Sequence, residues 1–191
     1  ENSGSLPVYV NFKKSLRMEP LYVHTQNASF WFEQWLILQV YLSLYDSLVS
    51  LDAAHELSVT GFNKKSLYQK IQFIETGSVD DGNQFHFEHS SQQLLDHISS
   101  VLRSLGKSRC ILLLDDAAHA FSARQQKDFF EFFRRVKSKH VSPKAAIYPG
   151  ITHQAPTFHV GHDAEEVDAT RNPELRFSWL TQGISNPISD V

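Results

Sequence analysis

An α/β fold with a mostly parallel sheet is predicted by three observations. Apolar residues switch four times between strand and helix periods, in the order strand, helices, strand, helix, strand. Residues 110–114, Cys-Ile-Leu-Leu-Leu, form an unbroken apolar run closed by Asp115 and Asp116, the pattern of a strand buried on both faces. Beyond it Ser122 and Gln125 have capping-box spacing, and Phe129, Phe132, Phe133 and Val136 fall on one helical face.

The elements follow in order. Residues 6–12, LPVYVNF, follow a Gly/Ser lead-in and predict a short strand, and residues 13–28 read as a loop. From 29 to 51 large apolar side chains fall on nearly every face, so a long, deeply packed helix is expected. A weaker helix is expected over 64–76, then an exposed turn at 77–83, GSVDDGN. Leu94, Leu95, Ile98, Val101, Leu102 and Leu105 give residues 91–105 a helical stripe that ends at Gly106. The strand at 110–115, a helix at 122–139 and a strand at 144–148 complete the regular part. Further strands are expected at 157–160 and 166–170, and an irregular tail at 171–191.

Composition narrows the class. The 191 residues are 41% hydrophobic and include 14 Phe, 6 Tyr and 3 Trp, too many large apolar groups for a disordered segment. The net charge of −3 advertises neither nucleic acid nor an anionic membrane. One cysteine, Cys110, excludes a disulfide framework and a cysteine zinc finger, and fits a reducing cytoplasm. The longest apolar stretch, 34–45, has 12 residues, short of the roughly 20 that a membrane span needs, so no membrane association is expected.

Chemistry concentrates at 110–122, CILLLDDAAHAFS. A buried strand ending in carboxylates places them at the carboxyl edge of the sheet, where open α/β folds bind ligands. One carboxylate there can hold the water shell of a nucleotide-bound Mg²⁺, and a second can orient or activate an attacking water. The alternative is an Asp that caps the next helix. Arranged with LPVYVNF, the long apolar helix, FFEFFRRVKSK and KAAIYPGIT, this segment resembles the nucleotide-binding core of P-loop ATPases of the AAA+ and STAND type. It is most similar to bacterial origin-recognition-complex-like ATPase domains.

The resemblance covers residues 6–170 and implies a three-layer core and a domain spanning 1–170. It implies ATP and Mg²⁺ as cofactors, with Asp115 as the Mg²⁺-coordinating acid and Asp116 in the place of the catalytic acid, where relatives more often have Glu. Thr152 then stands where a polar residue senses the terminal phosphate. Arg171, or the pair Arg134 and Arg135, stands for an arginine finger. Such relatives are cytoplasmic switches that assemble with themselves or a protein partner, and some act on DNA or in antiviral defence. No G-x-x-x-x-G-K-S/T loop exists in the sequence: Gly106-Lys107-Ser108 supplies only its last three positions and leads into a strand. An N-terminally truncated core is therefore expected, poor in ATP binding and hydrolysis by itself.

Two alternatives compete with the ATPase. One is a non-catalytic α/β interaction module in which Asp115 and Asp116 cap structure. The other is a metal-dependent hydrolase using Asp115 and Asp116 with His119, or the cluster His153, His159, His162 and Asp163. Nucleophilic catalysis is disfavoured, because Cys110 begins a buried strand. The basic run Arg134, Arg135, Lys137, Lys139 and His140 reads as a solvated helix face, or as a contact to DNA phosphates.

Overall fold

The computed structural model describes residues 4–13, 18–24, 27–60, 62–76, 89–117, 122–147, 152–153 and 156–167. The chain divides into two units, Glu1–Phe158 and His159–Val191. In the first, the elements are β1 (Ser5–Asn11), α1 (Glu19–His24), α2 (Ala28–Ser50), a 3₁₀ segment (Ala54–Thr60), α3 (Lys64–Glu75), α4 (Ser91–Ser104), β2 (Arg109–Asp115), α5 (Ala123–Arg135) and β3 (Val141–Ala145). The three strands form a parallel sheet in the order β1-β2-β3. The α/β class is thus as predicted.

Three helices start as their sequences dictate. Asn63, Ser90 and Ser122 each accept the amide of the residue three positions on, while Ser66, Gln93 and Gln125 bond back to the cap amide. These reciprocal boxes satisfy amides that an uncapped helix start would leave without partners. α2 has no side-chain cap bond and is held by packing instead. Its residues Gln34 to Leu38 are all buried, and it packs against β1, α3 and α5.

Trp35, Phe12, Phe32 and Phe129 form the aromatic centre of the core, with ring centroids 5.7–5.9 Å apart in the Phe12–Trp35, Phe12–Phe129 and Phe32–Trp35 pairs. Several polar groups entering it are bonded, while the buried Gln125 Nε2 has no partner among the described residues. The amide of Gln34 grips the backbone of His89 through both its atoms, at 3.0 and 3.1 Å. Tyr41, fully buried, shares its hydroxyl with His97 Nδ1 at 2.5 Å and His89 Nδ1 at 3.3 Å. Burial, then the neighbouring His97 and Lys70, hold His89 below the ordinary histidine range.

Two expectations about the sheet are corrected. The strand expected at 144–148 lies at Val141–Ala145, because Pro143 is accommodated within it: β3 is an edge strand among the described residues, and an edge tolerates a missing N–H. β2 is not buried on both faces. Cys110, Leu112 and Leu114 are covered, whereas Leu113 is 39% exposed and its β1 neighbour Tyr9 53%. Parallel neighbours joined in the order 1-2-3 by right-handed crossovers send every connection over the same face. Among the described residues the other face is left bare, and no reversal of strand order, the feature of a doubly wound sheet, occurs among the described strands.

Smaller differences follow from local chemistry. α5 stops at Arg135, short of 139, where the apolar face ends with Val136. The loop expected over 13–28 contains α1, whose second residue is Pro20, a residue tolerated in a first helical turn. Residues 156–157 form a turn in the first unit, and in the second Val160 makes only an isolated bridge to Ala164 in place of a strand. Residues 77–83 and 171–191 lie outside the described residues, as does 168–170 of the strand expected at 166–170.

Candidate functional site at the carboxyl edge of the sheet

Parallel register sets Asn11 of β1 beside Asp115 of β2, and Tyr9 beside Leu113. Side chains alternate along a strand, so Tyr9, Asn11 and Asp115 all rise from the bare face. There they form one network. The Tyr9 hydroxyl donates to Asp115 Oδ2 at 2.5 Å, and Asn11 Nδ2 donates to Tyr9 Oη at 3.1 Å and to Asp116 Oδ2 at 3.2 Å. The amide of Lys13 is held by Asn11 Oδ1 at 2.9 Å, and its ammonium lies 3.8 Å from Asp116 Oδ2. The Lys13 side chain is 77% exposed, so this pair contributes little stability.

Asp116 turns the chain out of the strand with φ of 61°, the left-handed region that most side chains avoid. Such a conformation costs on the order of 1–3 kcal/mol. A hydrogen bond from the Asp116 amide to Asp115 Oδ1, at 2.9 Å, offsets part of that cost. The turn then buries Ala117 and leaves both carboxylates half-exposed. Asp115 has one bond on each oxygen, and among the described residues Asp116 Oδ1 has none. Each carboxylate therefore retains lone pairs for water or a cation's water shell. Its bond to Asp115 raises the Tyr9 pKa, which keeps the phenol a donor.

The remaining predicted residues are placed as follows. Thr152 is half-buried in a segment that docks on α5, where the His153 amide donates to Gln126 Oε1 at 2.5 Å. Arg171 and His119 lie outside the described residues. Arg134 pairs with Glu131 at 2.8 Å and Arg135 with Glu33 at 3.0 Å, each in a half-exposed ion pair within the chain. Cys110 is fully buried and its thiol is pushed up to about 12, the inert setting the sequence implied.

Asp163 accepts the His159 amide at 2.8 Å through Oδ2 and faces His162 Nδ1 at 3.2 Å through Oδ1, a local turn that includes Gly161 at φ of 91°. Among the described residues no group of three or more His, Cys, Asp or Glu side chains is arranged to hold a metal ion. Sequence reasoning found the carboxylate pair but missed Tyr9, Asn11 and Lys13. The signal was their period of two along LPVYVNFK, which puts all three on one side of the chain's path.

Comparison with protein-family models, curated proteins and solved structures finds no match. Among the described residues no helix is long and apolar enough to cross a membrane.

Proposed function

We propose that this chain is the nucleotide-binding core of an AAA+ or STAND-like ATPase, working as an ATP-dependent switch for assembly with a partner. The observation that carries it is the Asp115–Asp116 pair at the carboxyl edge of a parallel strand, with Asp116 held at positive φ and both acids oriented by Tyr9 and Asn11. Asp115 would hold the hydrated Mg²⁺ of MgATP and Asp116 would orient the attacking water, with Thr152 near the terminal phosphate. The phosphates themselves need a glycine-rich loop that none of the 191 residues supplies.

The bare face is consistent with this reading. A strand preceding β1 and lying parallel on the outer edge of β3 would reverse the strand order there. Its right-handed crossover back to β1 would run over Tyr9 and Leu113, forming the third layer and a switch point beside Asp115. In the native protein, Asp115→Asn is expected to abolish Mg²⁺-dependent ATP binding, and Asp116→Asn to retain binding and lose turnover. A full ATPase rate in both variants overturns these roles for the two acids, whereas absence of MgATP binding and turnover in the native protein overturns the proposal and favours an interaction module.

A further inference from the structure

At the opposite, amino edge of the strands lies an open cleft of about 810 Å³ lined by Ser5, Arg109 and Ile111 of the sheet, Ser99, Leu102 and Arg103 of α4, Lys107 and Ser108 of the turn, and Lys139 and His140 before β3. Among the described residues no carboxylate lines it. Among the described residues Arg103, Lys107, Arg109 and Lys139 make no ion pair, in contrast to Arg134 and Arg135. The carboxyl ends of α4 and α5 reach this edge and carry about half a negative charge each, so about three positive charges stay unbalanced. That surplus stands on a chain whose net charge is −3.

The rim is fixed by the sheet. His140 O accepts the Cys110 amide at 2.7 Å, and His140 Nδ1 contacts Ser108 O at 3.3 Å, tying the segment before β3 to the start of β2. Among the described residues the lining contains no Phe, Tyr or Trp, so it offers no such platform on which an unpaired base would stack. It is also open to solvent, unlike the enclosed pocket that buries most of a small ligand. Four cations from four segments, serine hydroxyls and, among the described residues, no Phe, Tyr or Trp match a phosphate backbone read without regard to sequence.

We propose that this cleft binds the phosphate backbone of duplex nucleic acid through Arg103, Lys107, Arg109 and Lys139. The site lies at the other end of the strands from Asp115, and its test needs no nucleotide. A short mixed-sequence DNA duplex, titrated into the protein between about 50 and 200 mM salt, is expected to bind with a log–log salt slope of about −3.6. Lys107→Gln with Lys139→Gln should weaken binding and make the slope shallower by about 2. Lys65→Gln with Lys127→Gln removes the same charge from exposed positions outside the cleft and should leave the slope unchanged.

Absence of duplex binding at the lowest salt overturns the proposal. So does equal weakening by the two pairs of substitutions, which would mean diffuse attraction. Displacement of the duplex by stoichiometric inorganic pyrophosphate also overturns it, since the cleft would then be a small-anion site.

Discussion

The two faces of the sheet differ in kind. On the covered face Leu6, Val8, Val10, Cys110, Leu112, Leu114 and Val141 are all buried against helices. On the bare face the same strands present Ser5, Tyr9, Asn11, Arg109, Leu113 and Asp115. The difference is one residue of register. Stability comes from one set and the candidate site from the other, with carboxylates gathered at one end of the bare face and cations at the opposite edge.

The largest expected effect is on the covered face. Leu112→Ala should destabilise by about 2–5 kcal/mol in denaturant titration, since a fully buried leucine leaves a cavity between helices and sheet. Its neighbour Leu113→Ser should change stability by less than about 1 kcal/mol, because that side chain already meets solvent. Equal losses at both positions would mean that the bare face is covered in solution.

A pH scan tests the helical side of the core. His89 is held below its ordinary pKa in the fold, so the unfolded chain takes up its proton first as pH falls. Stability is expected to be full above the ordinary histidine pKa and to decline below it, through the lowered folded-state value. The melting temperature measured across that range should drop less in His89→Gln, provided the variant keeps the wild-type helical content. A drop of the same size in both would assign the dependence to another group.

Removing the Ser122 cap should cost about 1 kcal/mol, seen as a lower denaturation midpoint for Ser122→Ala. Tyr9→Phe is expected to have the smallest effect on stability, because its hydroxyl bond lies at an exposed surface. That variant should instead disturb the amide resonances of Asp115 and Asp116, which its hydroxyl helps to orient.

Much of the covered side was legible in the sequence. Periodicity located β1, α2, α4 and β2 to within a residue or so, and the Ser122–Gln125 spacing set the start of α5. The bare face was not legible, because Ile111 and Leu113 look in composition like residues of a strand buried on both sides. Only topology decides that, since strands added in one direction leave one face without crossovers. β3 was displaced because Pro143 argues locally against a strand, while edge position permits it. For the site, the adjacent Asp115 and Asp116 stood out in sequence. Tyr9 and Asn11 reach them across some 105 residues, a distance only strand register closes.

The central claim concerns what the two carboxylates do, and the most direct measurement is MgATP binding and turnover by the native protein with Asp115→Asn and Asp116→Asn. The account predicts that Asp115→Asn loses Mg²⁺-dependent binding, and that Asp116→Asn keeps nucleotide but falls in turnover by two or more orders of magnitude, on the scale of about 10²–10⁴ for a general acid–base group. Wild-type binding and turnover in both variants would contradict it.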